Sequence, residues 1–168
     1  MKNFIKITFL TITIIVFYSC NNSDEPLSSK SNKQTVYANY GECLENEMMI
    51  IEGENSVTKI EFSYLGKILN INHLNAGFNC CVDDIKIDVE FKSGQIIITE
   101  TDINPACDCL CLYNIDYEIK NIPAGTYIIK INESVKPEND DPIIFEVELH
   151  EGVQGEESFV RSGYPWGI

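Results

Sequence analysis

The chain has 168 residues, 26 of them acidic and 12 basic, for a formal charge of −14. Lys2 and Lys6 are the only charges before Cys20, so the remainder carries 10 basic against 26 acidic groups, a net of −16. With no basic cluster, that balance excludes a nucleic-acid partner, because phosphate binding needs Lys and Arg to displace counterions.

Residues 1–19 open on Lys2 and Lys6, run through twelve mostly apolar residues at 7–18 and end on Ser19. This is the pattern of a signal peptide. Twelve helical residues at ~1.5 Å rise cover about 18 Å of a roughly 30 Å hydrocarbon layer, too little for a membrane span. Phe17-Tyr18-Ser19-Cys20 resembles a bacterial lipobox, with Phe17 where Leu is usual. The resemblance implies that Cys20 becomes the mature N-terminus, carrying a diacylglycerol thioether and an N-acyl chain. Several acyl chains anchor stably where one would not. The partner expected at this end is therefore a membrane, reached through the N-terminal lipid. The expected location is the outer membrane or cell surface of a Gram-negative bacterium.

Residues 20–35 read as the lipidated Cys and a flexible tether, with too little apolar surface to offset the entropy of ordering. Ser23-Asp24-Glu25 resembles the acidic export signal of surface-exposed Bacteroidota lipoproteins.

Residues 36–155 alternate with period two and are read as one domain. Ile60, Phe62 and Tyr64 alternate with Lys59, Glu61 and Ser63, and Leu69 and Ile71 with Asn70 and Asn72. Ile85, Ile87, Val89 and Phe91 oppose Lys86, Asp88, Glu90 and Lys92, before Ser93-Gly94 and a second apolar run. That predicts a hairpin with a two-residue loop. Cys107, Cys109, Cys111, Tyr113, Ile115, Tyr117 and Ile119 share one face of an extended chain. After a Pro/Gly turn at 121–125, Tyr127, Ile129 and Ile131 resume the alternation, which predicts a second hairpin. Ile143, Phe145, Val147 and Leu149 form a last strand. Lacking helical periodicity, the domain is expected to be all-β, an antiparallel sandwich of seven to nine strands. Residues 156–168 are expected as a C-terminal tail.

Asn79-Cys80-Cys81, Cys107-Asp108-Cys109-Leu110-Cys111, Asp116-Tyr117-Glu118-Ile119 and Pro123-Ala124-Gly125-Thr126-Tyr127 resemble a group of uncharacterised Bacteroidota lipoproteins. Residues 122–130 resemble the last hairpin of Ig-like and transthyretin-like sandwich modules. Neither resemblance carries an activity; both imply fold and location.

Six cysteines follow Cys20: Cys43, Cys80, Cys81, Cys107, Cys109 and Cys111. An even count beyond the inner membrane, without CxxC knuckles, predicts three disulfides stapling the sandwich. The rival is a thiol-redox or soft-metal site using Cys80, Cys81, Cys107, Cys109 and Cys111, with His73 as a further ligand. On one extended strand the thiols of Cys107, Cys109 and Cys111 sit at the outer limit for bridging one another. Each then pairs with Cys43, Cys80 or Cys81, leaving six connectivities.

No catalytic residue is expected. His73 and His150 lie in no metalloprotease or triad motif, and no orienting partner can be named for either. Asp83 and Asp84 read as loop charges. Glu138, Asp140 and Asp141 lack the frame of a calcium loop, so no metal or cofactor is expected. Trp166 and Phe159 could stack on a sugar or a partner, but packing back over a sheet edge is the preferred reading. The sequence thus reads as a lipid-anchored, non-catalytic β-sandwich that binds a protein or glycan or serves a structural role.

Overall fold

The computed structural model describes residues 34–44 and 57–166, which contain nine strands and no helix. The leader, Cys20 and the tether up to residue 33 lie outside the described residues. The strands are β1 (Thr35–Tyr40), β2 (Val57–Leu65), β3 (Ile68–Asn79), β4 (Asp84–Lys92) and β5 (Gln95–Ile103). They continue as β6 (Leu110–Lys120), β7 (Gly125–Asn132), β8 (Ile143–Leu149) and β9 (Gln154–Val160). A five-stranded sheet in the order β1-β6-β3-β2-β9 faces a four-stranded sheet in the order β4-β5-β7-β8. The protein is a disulfide-stapled all-β sandwich, with every pair antiparallel except β5 and β7, which run parallel.

Period-two burial builds the core. Ile60, Leu69, Ile71, Ile115 and Ile119 of the larger sheet and Ile96, Ile98, Ile129, Ile131 and Ile143 of the smaller are buried. Each such side chain contributes roughly 1.5–3 kcal/mol on leaving water. Phe62 and Phe145 stack across the layers with ring centroids 6.0 Å apart.

Two tight hairpins follow turn chemistry that the strand twist demands. Gly66 and Lys67 join β2 to β3 with φ of 59° and 66°, and Ser93 and Gly94 join β4 to β5 with φ of 49° and 78°. Paired positive φ values match the right-handed twist of the flanking strands.

The second expected hairpin is an arch instead. β6 pairs with β1 and β3, while β7 pairs with β5 and β8 in the opposite sheet. Ile122 explains the crossing: it is buried between the layers, its N–H donates to Lys67 O at 3.1 Å, and its carbonyl accepts from Tyr64 OH at 2.7 Å. An apolar anchor in the middle of the turn pulls the chain through the core and leaves β7 facing β6 across it.

The C-terminal segment is part of this architecture. β9 pairs with β2 from Gln154 to Val160, so residues 156–160, expected in the tail, belong to the sandwich. Beyond it Arg161, the single arginine of the chain, is buried and donates from Nη2 to Glu133 at 2.5 Å and from Nη1 to Asp141 O at 2.7 Å. Trp166 is fully buried and donates from Nε1 to Asn75 O at 2.6 Å. Its ring fills the space above Gly77, where a Cβ would meet ring carbons at 2.5 and 2.8 Å. Trp166 therefore packs back on the fold.

Candidate functional site on the solvent face of the five-stranded sheet

The outward positions of the larger sheet fall into register across all five strands. One rank runs Tyr37, Glu118, Asn70, Ser63, Gln154; the next runs Asn39, Asp116, Asn72, Glu61, Glu156. With neighbouring strands about 4.8 Å apart, each rank is roughly 19 Å long, and the two ranks lie about 6.6–6.8 Å apart along the strands. Two grooves are set on this face. One, of about 480 Å³, is lined by Glu61, Ser63, Asn70, Asn72, Gln154 and Glu156. The other, of about 240 Å³, is lined by Tyr37, Asn39, Asn70, Asn72, Asp116 and Glu118. Asn70 and Asn72, on the central strand β3, form the ridge common to both.

The residue types here work against the strand. Asn is depleted in β-strands, where β-branched and aromatic side chains pack better on the pleated surface. At the centre of a sheet, two Asn in one strand face break the local preference, as functional positions do. Among the described residues, the side chains of Asn39, Ser63, Asn70, Asn72, Asp116 and Gln154 have no hydrogen-bond or ion-pair partner. Each amide keeps two donors and an acceptor available, and each carboxylate two acceptor oxygens.

The charges at the margins are partly compensated. Lys59 Nζ lies 3.1 Å from Glu156 and 3.8 Å from Glu61. Lys120 Nζ lies 3.0 Å from Glu118 and 4.7 Å from the centre of the Tyr37 ring. The hydrogen bond to Glu118 holds the Lys120 ammonium above its usual range. Among the charged residues of the two ranks, Asp116 alone has no ion-pair partner.

The other sequence-predicted positions lie elsewhere. Cys43 pairs with Cys111, Cys80 with Cys109 and Cys81 with Cys107, with Cα separations of 5.7, 5.7 and 5.6 Å. Each bond joins the downstream trio to an upstream cysteine. The shared strand, however, begins only at Leu110, and Cys107 and Cys109 lie in the bend before it. There Cys107 Sγ and Cys109 Sγ approach to 2.9 Å, and with Cys80 Sγ they form a group of sulfurs within 4.8 Å of one another. The bend, from a Pro105 that cannot extend a ladder, replaces the separation that an extended chain would impose.

His73 is remote from these sulfurs and fully buried. It continues the inward phase of Leu69 and Ile71, and its Nδ1 meets Glu100 Oε1 at 2.7 Å, while Nε2 lies 3.2 Å from Thr58 Oγ1. Glu100, in phase with Ile96 and Ile98 on β5, is the orienting partner that local sequence pattern does not reveal. Tyr117 OH donates to the same Glu100 oxygen, and burial followed by the Glu100 charge pushes the phenol well above its ordinary range. With both the His73 and Glu100 side chains closed off from solvent, this network serves as a buried structural unit.

His150 is exposed. Asp84 accepts from Tyr40 OH at 2.7 Å, tying the start of β4 to the end of β1, and Asp83 accepts from Asn104 Nδ2 at 2.9 Å in the loop after β5, so the two acids serve separate contacts. Asp140 accepts from Ser162 N and Oγ, and Lys136 Nζ donates to Pro137 O and Asp140 O, closing the acidic loop with groups of the chain itself. Phe159 tilts against Phe145 with ring centroids 6.5 Å apart.

No protein-family model matches the chain, and neither does any curated protein or solved structure.

Proposed function

We propose that the chain is an extracytoplasmic, lipid-anchored, non-catalytic module that binds an extended uncharged glycan along the solvent face of its five-stranded sheet. The observation that carries this reading is the ridge of Asn70 and Asn72, two unpartnered amides on the central strand with a groove on either side. Every sugar hydroxyl is both donor and acceptor, and a rank mixing amides with carboxylates offers the complement of both. Tyr37, 56% exposed at one end, adds a ring edge and face for the apolar side of a sugar.

Other ligand classes suit the face less well. An extended peptide is taken up at a sheet edge, through unpaired backbone groups, and these grooves lie over the middle of the sheet. A cation would compete with Lys59 and Lys120, whose charges already sit among the carboxylates. The Ser19-Cys20 junction supports the anchor, and three disulfides suit an oxidising compartment.

The reading is tested by passing the mature chain over immobilised uncharged polysaccharides of differing backbone. Retention on at least one, released by the same soluble polysaccharide, is the expected outcome. Passage through all of them without retardation overturns it.

A further inference from the structure

A second constellation lies at the end of the sandwich where β3 leaves and β6 enters. The adjacent Cys80 and Cys81 face Cys107 and Cys109 across two backbone hydrogen bonds, Cys80 N to Cys109 O and Ala106 N to Cys81 O, both 3.1 Å. Asn79, itself buried, ties the two segments together. Its Nδ2 donates to Cys107 O at 2.6 Å, and its Oδ1 accepts from Cys81 N at 2.9 Å and lies 3.4 Å from Cys107 Sγ. That oxygen is an acceptor aimed at a sulfur that can donate only as a thiol. Four sulfurs are thus gathered by a shared scaffold, while Cys43 and Cys111, which line one cleft with Cys80, lie outside the two backbone bonds that hold it.

We propose that Cys80, Cys81, Cys107 and Cys109 form one exchangeable unit that accepts two electrons from an external dithiol, rather than two independent staples. Exchange proceeds by attack of a thiolate on a disulfide sulfur, so access and proximity set the path. Cys81 is the exposed member of the four. A donor thiolate attacks Cys81 Sγ, forms a mixed disulfide and breaks the Cys81–Cys107 bond, leaving a thiolate on Cys107. That sulfur lies 2.9 Å from Cys109 Sγ. It attacks Cys109, forms a Cys107–Cys109 bond, breaks Cys80–Cys109 and leaves a thiolate on Cys80, which lines a cleft of about 90 Å³. The donor's second thiol then attacks the donor sulfur of the mixed disulfide and releases Cys81. The donor ends as its own disulfide, having given two electrons and two protons. The protein ends with one disulfide, Cys107–Cys109, and two thiols, on Cys80 and Cys81.

The direction of the second step follows from the chain. In an extended strand, i and i+2 Cα atoms lie about 6.6–6.8 Å apart, the outer limit for a bridge, and the bend at Cys107 and Asp108 removes that obstacle. Cys80 and Cys81 can re-bond to each other only through a strained ring, so they remain as a vicinal dithiol.

The test uses the mature, oxidised chain with limiting dithiothreitol, quenched with iodoacetamide and digested without further reduction. The expected product with two labels carries both on the single peptide holding Cys80 and Cys81, alongside a peptide closed internally between Cys107 and Cys109. One label on each of two peptides, at Cys81 with Cys107 or at Cys80 with Cys109, shows independent disulfides and overturns the proposal. Labelling of Cys43 and Cys111 ahead of the four overturns it as well, as does resistance of the native protein to excess dithiothreitol.

Discussion

His73 Nδ1 lies 2.7 Å from Glu100 Oε1, within hydrogen-bond distance, with both side chains closed off from solvent between the two sheets. Glu100 also accepts from Tyr117, so one carboxylate joins β3, β5 and β6 across the core. Removing one partner of a buried pair leaves the other desolvated and unmatched, at a cost of about 3–5 kcal/mol. Glu100→Ala is expected to lose stability on that scale in urea denaturation. A loss below about 1 kcal/mol means the network contributes nothing beyond filling space.

A pH dependence follows from Glu133. Burial raises its carboxyl above the ordinary value, and the Arg161 charge only partly opposes this. The folded protein keeps a proton there at pH values where the unfolded chain has released it. This group's contribution is therefore fully present below the ordinary carboxyl pKa and is lost as pH rises through the raised folded value. Relative to Glu133→Gln, the wild type should lose stability as pH increases through that window. A relative gain contradicts the assignment.

The single Trp reports directly on the C-terminal clasp. Gly77→Ala places a methyl 2.5 Å from the Trp166 ring, so the indole must move. Overpacking of this kind costs typically 1–3 kcal/mol. The variant should show red-shifted fluorescence and a lower melting temperature. Emission identical to the wild type places Trp166 elsewhere.

Much of this architecture was legible because burial has a period of two. The phase of Ile85 to Phe91, the Ser93-Gly94 turn and the inward face of β8 all follow from side chains alternating between core and water. The same rule carried further places His73 in phase with Leu69 and Ile71, and Glu100 with Ile96 and Ile98; their polarity masked the signal. The destination of β7 was not legible, since an arch and a hairpin share the same local alternation and differ only in where Ile122 is buried. The polar ranks were visible as outward residues, but their alignment across five strands depends on long-range register that no local pattern encodes.

Anchoring through Cys20 is tested in cells of the source organism. Cys20→Ala should accumulate as an unprocessed precursor that takes up no labelled fatty acid. Normal processing and acylation of that variant removes the lipobox from the account.

The central claim is that the amides of β3 recognise ligand, and calorimetric titration with the retained polysaccharide tests it most directly. Asn72 lies on the solvent face, half-buried and with no side-chain hydrogen bond to lose, so Asn72→Ala should keep the wild-type melting temperature. It should also weaken binding at least tenfold, about 1.4 kcal/mol. Equal affinity of wild type and Asn72→Ala for that polysaccharide contradicts the assignment of this face as the binding site.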